Sequence, residues 1–349
     1  MQTISIIVPV YNVEKYLRVA LQSLINQTYQ DLQIVCIDDG STDNSPALLQ
    51  EYARKDPRIE IHTQENRGLS GARNAGLTHV RGSLLMFFDP DDWMDGDTCE
   101  KALQIMTEED ADLVMWGYSK EYGSHAEPVR VWSSRRVFSG AAMPILRRRI
   151  LGLTSDEMKH PEWMDSLGTA WGKLYKSAIF LKNNIQYIDT AEIGSAEDVL
   201  ANLQYLTYTQ KVVYSPDIVY HYRKTNLSAL TKTYKPHLVE QWQRLFSRMR
   251  AWTTQHDPSV EAESILNNRI THAIISLGLN ELSAQANQPK KLRRISSILH
   301  AGWYRDAAST FSLASLPLHW KLFFFCAKNG ITAGVFILLH TIHYRLKNK

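Results

Sequence analysis

Short apolar strands alternate with amphipathic helices through the first part of the chain, and this alternation constrains the fold more than any other feature. Apolar runs rich in β-branched residues lie at Ile4–Val10, 34–37, Ile59–Thr63 and 83–88. Between them, apolar positions recur at the three- and four-residue spacing of a helix. Strand and helix units of this length build a mostly parallel sheet flanked by helices and joined by right-handed crossovers. The sequence therefore predicts an α/β fold.

Carboxylates follow two of the predicted strands, at the point where each strand ends. Asp38 and Asp39 follow the second strand, and Asp89, Asp91 and Asp92 follow the fourth. The carboxyl ends of parallel strands form one edge of the sheet, where open α/β sheets bind their ligands. Clustered acids there suit Mg²⁺ or Mn²⁺, which take oxygen ligands from one or two carboxylates and from a diphosphate. The alternative is a simple turn, because Asp-Pro-Asp-Asp is a favourable turn sequence.

A dinucleotide-dependent dehydrogenase would share this class of fold, but the glycines do not fit one. Gly68, Gly71 and Gly76 have the wrong spacing for a G-x-G-x-x-G phosphate loop, and the first strand–helix turn contains no glycine. The sequence has no P-loop either. Another structural feature would have to bind the phosphates, and a bound cation fits that requirement.

The cysteines and the N-terminus indicate the compartment. Cys36, Cys99 and Cys326 are too few and too scattered for a disulfide framework or a zinc site, which favours a reducing environment. The first twelve residues lack a basic segment and are typical of a strand, not of a signal peptide. We therefore expect a cytoplasmic protein.

Four blocks of sequence carry a resemblance to a known family. In order, they are SIIVPVYNVEKYL, QTYQDLQIVCIDDGSTDNS, ENRGLSGARNAGL and FFDPDDW. Together they resemble family 2 of the bacterial nucleotide-sugar glycosyltransferases, densely from residue 3 to about 95 and more thinly to about 230. The resemblance implies the GT-A fold, which is Rossmann-like with a mostly parallel central sheet flanked by helices. A helical C-terminal extension would follow this domain.

The resemblance also implies which residues bind the donor. Asp39 resembles the acid that hydrogen-bonds the nucleotide base, and Pro9 and Tyr11 would form the pocket around that base. An acid that accepts from a uracil imide N–H is chemically sensible. Asp38 would be structural or would face the ribose, and Arg73 resembles the position that reaches the base or the phosphates. The alternatives are core packing for Tyr11 and a surface ion pair for Arg73.

A metal site is implied by the same resemblance. Asp89 and Asp91 are similar to the family's Asp-x-Asp motif. Asp91 would bind Mn²⁺ or Mg²⁺, and Asp89 would bind the ribose, the metal or a metal-bound water. His221 could complete the metal shell, as a histidine does in some relatives. Its alternative is a packing role beside the neighbouring tyrosines.

A second pair of acids, Glu197 and Asp198, lies just before a predicted helix. Negative charge in the first turn of a helix interacts favourably with the helix dipole. The structural alternative is therefore that this pair only stabilises the start of the helix. The pair also resembles the family's Glu-Asp motif, in which the aspartate is the general base. Inverting transfer needs such a carboxylate, because the acceptor hydroxyl must lose its proton as it attacks the anomeric carbon. Asp198 is therefore the predicted base, supported by Glu197.

Two further residues are predicted on the acceptor side. Trp171 could stack on a sugar ring, because aromatic faces suit the apolar faces of hexoses. Its alternative is plain core packing. Arg223 could neutralise the diphosphate. The insert at residues 119–165 is expected to face the acceptor, and the alternative for its basic run, residues 147–149, is a solvated helix face.

The domain organisation follows from the resemblance and from charge. We predict a GT-A catalytic domain at residues 1–230, with a nucleotide-sugar-binding half at 1–118 and an acceptor-binding half at 119–230. Residues 231–349 should form a helical, basic region, since they carry 16 Lys or Arg and 6 Asp or Glu, against 23 and 30 before them.

The apolar end of the chain is too interrupted for a membrane-spanning helix, which needs about 20 apolar residues. Two interfacial helices with interspersed lysines, such as Lys321 and Lys328, fit this segment better. They would hold the protein peripherally on the cytoplasmic face of the inner membrane. The alternative is a C-terminal helical pair that docks on the catalytic domain.

The sequence thus predicts a metal-dependent, inverting glycosyltransferase of the hexosyltransferase type. Its donor would be a nucleotide sugar, of which UDP-sugars are favoured. Its acceptor would be a hydroxyl of lipopolysaccharide, capsule or exopolysaccharide, and no nucleic-acid partner is expected. The alternatives are a noncatalytic sugar-nucleotide or glycan-binding module with the same fold and a sugar nucleotidyltransferase. The missing glycine-rich phosphate loop disfavours the nucleotidyltransferase.

Overall fold

The computed structural model describes residues 2–226 and 234–347 and divides into two compact units. The first unit comprises Met1–Leu146, Ser166–Thr190 and Glu197–Leu227, and the second comprises Arg147–Asp165, Ala191–Ala196 and Ser228–Lys349. The predicted boundary between residues 230 and 231 lies outside the described residues. Two stretches from within the predicted catalytic domain, 147–165 and 191–196, group with the C-terminal unit.

The first unit is built on one mixed sheet of ten strands, as far as the described residues show. In chain order the strands are β1 (Ile4–Val10), β2 (Leu32–Asp38), β3 (Ile59–Thr63), β4 (Leu84–Phe87), β5 (Trp93–Met94), β6 (Leu113–Glu121), β7 (Ala126–Val129), β8 (Arg136–Ser139), β9 (Lys173–Lys176) and β10 (Lys211–Arg223). Their order across the sheet is β3-β2-β1-β4-β9-β6-β10-β5, with β7 beside β6 and β8 beside β10.

Helices connect these strands and form the C-terminal region. Up to residue 207 they are α1 (Glu14–Ile25), α2 (Ser45–Lys55), α3 (Gly68–Thr78), α4 (Thr98–Glu108), α5 (Met143–Leu151), α6 (Ser177–Lys182), α7 (Thr190–Ile193) and α8 (Glu197–Thr207). The later helices are α9 (Leu238–His256), α10 (Val260–Ser283), α11 (Gln288–His300), α12 (Gly302–Ser309), α13 (Leu318–Lys328) and α14 (Thr332–Lys347).

The N-terminal half of the sheet is parallel, and the α/β prediction is confirmed. Strand β1 pairs with β2 and β4, and β2 pairs with β3, all in parallel. Every residue of β1 and β2 is buried, as expected of parallel strands covered by helices on both faces. Antiparallel pairs enter with β9, which lies between β4 and β6.

Strand register brings the predicted ligand-binding residues to one edge of the sheet. Val10 pairs with Asp38, and Ile7 pairs with Phe87. The residues that follow these strands, including Asp39 and Asp89, therefore emerge at the same carboxyl edge. Because the edge is set by backbone pairing, the acids lie there whatever their side-chain partners.

Gly76 supports the sheet and does not belong to a phosphate loop. A Cβ atom built at this position would lie 2.4 Å from Cγ2 of Ile7 on β1. Helix α3 can approach the sheet this closely only because residue 76 has no side chain. This contact explains a glycine that the sequence analysis left without a role.

Asn12 lies just before the helical spacing of the first helix, where an asparagine is expected to cap the helix, and this expectation from the sequence is wrong. Helix α1 begins at Glu14, and Asn12 adopts a left-handed backbone with φ 50°. Its Oδ1 accepts hydrogen bonds from the backbone nitrogens of Thr42 (2.8 Å) and Asp43 (3.3 Å). Asparagine tolerates this backbone region well. Its side chain therefore joins the loops after β1 and β2 and does not close the helix.

The stretches 212–214 and 218–222 each have the residue pattern of a short strand, but the structure joins them in one strand, β10. Its pairing with β6 is parallel, and the register shifts between Ser215 and Ile218. Pro216 lies at this irregularity and has no backbone N–H to donate. The proline interrupts the ladder locally without ending the strand.

The second unit is a cluster of helices in which α10 packs against α9, α11, α12 and α14.

Part of the basic run 147–149 is structural here, so the solvated-face alternative is wrong for Arg149. That side chain is 2 % exposed and donates to Glu157 and to the carbonyl of Trp163. Its neighbour Arg148 bonds Asp257 at 2.7 Å. In the part of the chain that the structure describes, no helix has the length and apolar character needed to cross a bilayer.

Candidate active site

Arg73 links the two acidic motifs of the first unit. Its Nη2 donates to Asp89 Oδ1 at 3.0 Å, and its Nη1 donates to Glu197 Oε1 at 2.9 Å. The guanidinium is 3 % exposed and lies over the ring of Tyr187, 5.2 Å from its centroid. Burial by itself would lower the pKa of Arg73, but the charges of Asp89 and Glu197 raise it overall. The surface-pair alternative for Arg73 is therefore wrong, because the pair is buried.

Strand β10 and the segment directly after it hold the remaining acids of the Asp89–Asp92 stretch. Asp92 is fully buried and accepts from the Tyr220 hydroxyl and from the backbone nitrogen of Arg223, both at 2.8 Å. Asp91 Oδ2 accepts from Asn226 Nδ2, also at 2.8 Å. Asp92 thus anchors the loop after β4, while Asp89 and Asp91 keep partly exposed side chains.

Asp89 and Asp91 have the chemistry to hold a divalent cation. Burial and then the charge of Asp89 raise the pKa of Asp91, so negative charge is crowded at this point. A cation would relieve that repulsion, and its remaining ligands would be phosphate oxygens and water. Among the described residues, no three His, Cys, Asp or Glu side chains are arranged as a complete metal cage. The donor set therefore fits an ion that is shared with a phosphate ligand.

His221 is engaged by two other carboxylates. Its Nδ1 lies 2.8 Å from Glu121 and its Nε2 lies 3.0 Å from Asp95. Its ring also stacks on Trp93, with the centroids 5.1 Å apart. To bind a metal, His221 would have to leave at least one of these carboxylates. The metal-ligand role stays a prediction, and the observed contacts correspond to its alternative as a packed, hydrogen-bonded residue.

Asp39 and Asp38 lie at the end of β2, where the predicted base pocket would form. Asp39 is 2 % exposed, and its Oδ1 accepts from Gln64 Nε2 (2.6 Å) and from the backbone nitrogen of Arg67 (2.9 Å). Within the described part of the chain, no hydrogen bond reaches Oδ2. Asp38 accepts from the backbone nitrogen of Ser41 at 3.0 Å, as its predicted structural role requires.

Pro9 and Tyr11 flank this position on β1 and on the loop after it. Pro9 is buried within the strand and pairs with Ile37. Tyr11 is 47 % exposed, so the core-packing alternative for Tyr11 is wrong. An exposed ring at the carboxyl edge of the sheet is available to cover a base.

Asp198 lies in the first turn of α8, directly after Glu197. It is half-buried, while Glu197 is 7 % exposed and bound by Arg73. The side chain of Asn202, one turn later, donates to the carbonyl oxygen of Asp198 at 2.8 Å. Asp198 also acts electrostatically on Arg73 and on the buried Lys173 of β9. The second acidic motif therefore lies within the same charge network as the first.

Arg223 and Trp171 were both predicted on the acceptor side. The Arg223 guanidinium lies over the rings of Trp93 (4.6 Å) and Tyr16 (5.1 Å), and its Nε donates to the Asp91 carbonyl. Trp171 is 6 % exposed and stacks on Tyr220 with the centroids 4.5 Å apart. Trp171 has no open face for a sugar, so the core-packing alternative describes it, while Arg223 lies beside the Asp89–Asp91 pair.

Several residues of this network were missed by the sequence analysis. Asn226 and Tyr220 bind the acids after β4, and Asn202 and Lys173 lie beside α8. Lys173, Asn202 and Tyr220 lie in largely apolar or tyrosine-rich stretches, which is a weak local signal, whereas Asn226 lies in a polar stretch that gives none. Their partners lie far away in the sequence, so periodicity could not have assigned them.

Comparison with known proteins decides the family. Residues 5–164, which contain all four of the motifs described above, match the family model for glycosyl transferase family 2. Residues 5–164 form a glycosyl transferase family 2 domain. With this domain and with glycosyltransferase relatives, the chain is a glycosyltransferase, and the resemblance stated from the sequence is confirmed.

Relatives of this chain extend over its whole length. EpsH of Bacillus subtilis strain 168 is 27% identical over 99% of this chain and 98% of EpsH. The minor teichoic acid biosynthesis protein GgaB of the same organism is 40% identical over 30% of this chain and 12% of GgaB. The crystal structure of residues 1–349 of S. aureus TarS in complex with UDP-GlcNAc is 19% identical and has a TM-score of 0.70. That match covers 99% of this chain and 92% of the TarS 1–349 chain. The shared fold confirms the GT-A prediction.

Proposed function

We propose that this glycosyltransferase moves a sugar from a UDP-sugar to a hydroxyl of a cell-surface glycan, with inversion at the anomeric carbon. One observation carries the proposal: Arg73 bonds both Asp89 of the predicted metal motif and Glu197 of the predicted base motif. The two motifs are far apart in sequence and would have no reason to converge if each were only a turn or a cap.

The donor would bind along the carboxyl edge of the sheet. The open Oδ2 of Asp39 would accept the imide N–H of uracil, and the exposed ring of Tyr11 would cover the base beside Pro9. Asp38 holds the loop on which the ribose would rest. The complex of TarS with UDP-GlcNAc supports a UDP-linked donor.

The diphosphate would lie at Asp89 and Asp91, which would hold Mn²⁺ or Mg²⁺. The ion, when bound, supplies positive charge to the departing diphosphate. Arg223, fixed by the rings of Trp93 and Tyr16, would add a second positive charge beside this site. Arg73 is already committed to two carboxylates, so we assign it to holding the motifs together and not to the phosphates.

Asp198 would act as the proton acceptor. The acceptor oxygen forms a bond to the anomeric carbon while the bond from that carbon to the diphosphate oxygen breaks. The hydroxyl proton passes to Asp198, and the nucleoside diphosphate leaves with the electron pair. Attack on the face opposite the leaving group inverts the configuration. Glu197, neutralised by Arg73, would support Asp198 without competing for the proton.

The acceptor class is proposed from the relatives and the C-terminal unit. GgaB is named for teichoic acid biosynthesis, which places a relative in bacterial cell-surface glycan synthesis. Helix α13 has an exposed apolar stripe, Leu318, Leu322 and Phe325, beside the exposed Lys321 and Lys328. An apolar helix face flanked by cations suits an anionic lipid surface, on which lipid-linked acceptors are found.

A donor screen with matched variants tests the proposal. Release of UDP and thermal shift would be measured with UDP-glucose, UDP-galactose, their N-acetylated forms and UDP-glucuronate, with and without Mn²⁺. Asp91→Ala should abolish the Mn²⁺-dependent shift, and Asp198→Asn should keep donor binding but lose turnover. The exposed Asp306→Asn is the control and should match the parent. Turnover of Asp198→Asn at the parent rate, or release of pyrophosphate instead of UDP, would contradict the proposal.

A further inference from the structure

Lys173 on β9 is a lysine buried within the first unit. It is 2 % exposed, and its Nζ donates to the backbone carbonyl and, at 3.1 Å, to the hydroxyl of Thr169. No ion pair joins it to an acid within the residues that the structure describes. Burial lowers the pKa of Lys173 to about 7, and the charge of Asp198 opposes this effect. A charge held in this way destabilises a fold, so its presence calls for a functional explanation.

The carbonyl that binds Lys173 also binds the helix that carries Asp198. Asn202 Nδ2 donates to the carbonyls of Thr169 (3.0 Å), Gly168 (2.8 Å) and Asp198 (2.8 Å). The Oδ1 atom of Asn202 accepts from the Tyr175 hydroxyl at 2.9 Å. Lys173 and the first turn of α8 are therefore fixed to the same short segment of backbone. Movement of the lysine would be transmitted to the turn that presents Asp198.

Among the described residues, Asp198 interacts electrostatically with Lys173 and Tyr175 of β9, with Arg73 of α3 and with Tyr187 of the segment before α7. Glu197 precedes it in the same helical turn. Arg73 already neutralises Asp89 and Glu197. Lys173 is thus the cation in this network that no other described carboxylate engages.

We propose that Lys173 is a positioning residue for the proton acceptor: it fixes the segment 168–171 against α8 and supplies the positive charge that keeps Asp198 ionised. This inference rests on the proposed function, in which Asp198 takes the acceptor proton. An opposite charge favours the ionised form of a carboxylate, and Lys173, with a pKa of about 7, is itself mostly protonated at acidic pH. At acidic pH the lysine therefore helps to keep Asp198 in the ionised form that can accept a proton.

The test is the pH profile of turnover. UDP release from UDP-GlcNAc, or from whichever UDP-sugar is hydrolysed fastest, would be measured with Mn²⁺ and water as acceptor from about pH 4.5 to 9. In Lys173→Met the midpoint of the acidic limb should rise by about one pH unit, because the carboxylate loses a favourable charge. Lys173→Arg should restore the parent midpoint. Lys182→Met removes an exposed lysine of the same unit and should leave the profile unchanged.

Two further variants separate the outcomes. Lys173→Gln, which keeps a donor for the Thr169 carbonyl, replaces the methionine variant if that variant does not fold, as judged by thermal unfolding. An unchanged midpoint in the folded neutral variant, with only a uniform loss of rate, would overturn the inference. Asp198→Asn distinguishes the two proposals: if it keeps the parent turnover, the proposed function fails. If Asp198→Asn is inactive while the midpoint of the Lys173 variant does not move, only the role of Lys173 fails.

Discussion

Asp89 and Glu197, which belong to different acidic motifs, accept hydrogen bonds from the two terminal nitrogens of one guanidinium. The nitrogens are those of Arg73, at 3.0 and 2.9 Å. All three side chains are largely buried, so their charges are screened less than those of a surface pair. The arrangement fixes the predicted metal-binding loop relative to the first turn of the helix that carries the predicted base.

Removal of Arg73 should therefore be costly for stability. Arg73→Met leaves two buried carboxylates without their shared partner, and breaking such a pair costs about 3–5 kcal/mol. Arg73→Lys should retain only part of this stability, because a single ammonium group cannot donate to both carboxylates with the geometry of a guanidinium. Urea unfolding would measure both losses. The exposed pair of Arg81 with Glu60 is the matched control, and Arg81→Met should cost far less stability than Arg73→Met, because solvent screens an exposed ion pair. Equal losses for the two arginines would contradict this assignment.

Asp39 should decide recognition of the base. Asp39→Asn should weaken UDP binding by about 1.5–3 kcal/mol, because a hydrogen bond to a charged acceptor is lost. Isothermal titration with UDP and with N3-methyl-UDP, which lacks the imide N–H, would separate the contact from a general effect. The parent should discriminate between the two ligands, and the variant should not. If Asp39→Asn still discriminates, another group accepts the imide N–H. Glu65→Gln, on an exposed residue nearby, is the control.

Trp171 should behave as a core residue. Its ring stacks on Tyr220 and meets Tyr118 edge-on, so Trp171→Ala should cost about 3–5 kcal/mol of unfolding free energy. Trp171→Phe should keep most of that stability and leave the KM for the acceptor, or for water in the hydrolysis assay, unchanged. A stable Phe variant with a strongly raised KM for a glycan acceptor would instead favour direct stacking on a sugar.

The buried charge of Lys173 should make stability depend on pH in a defined direction. Its pKa is 10.5 in a solvated lysine and about 7 in the folded protein, chiefly because of burial. Below pH 7 both states are protonated, and the full cost of the buried charge is present. Between pH 7 and 10.5 the unfolded state binds more protons, so the contribution of Lys173 to stability rises with pH.

Lys173→Met should therefore be more stable than the parent near neutral pH, and its advantage should shrink as pH rises. The limiting slope is about 1.4 kcal/mol for each pH unit. Urea unfolding of both proteins between about pH 6.5 and 10 would measure it. For Lys182→Met the difference from the parent should not vary with pH. A constant difference for Lys173→Met would show that the lysine does not titrate in this range.

The stripe on α13 should contribute to binding of anionic vesicles. Leu322→Gln with Phe325→Gln should reduce flotation with vesicles that contain phosphatidylglycerol, because both side chains are about half exposed and can enter the interface. Added salt should weaken binding of the parent, since the attraction is partly electrostatic. Leu181→Gln, an exposed apolar residue of the first unit, is the control. Undiminished flotation of the double variant would exclude the stripe as the contact.

The sequence by itself determined the parallel strands, the acids at their carboxyl ends and the family. Strands such as β1 and β2 are fully buried, so their apolar character appears as continuous runs, and the residues that follow them must emerge at the same edge. Asp39, Asp89 and Glu197 could be picked out because local signals, a strand end or a helix start, surround them. For Asn12 the local signal gave a wrong prediction, because its hydrogen bonds to the loop after β2 outweighed its preference for capping a helix.

Only the tertiary structure decided which side chains meet. Arg73 forms ion pairs with Asp89 and Glu197. His221 contacts Glu121 and Asp95. Trp171 lies in the core and not on a surface. Such pairings join residues that are distant in sequence, and local periodicity reports only which face of its own element a residue occupies. The burial of Lys173 belongs to the same class. Its environment is created by β9, the Thr169 segment and α8 together, and a sequence read element by element cannot contain it.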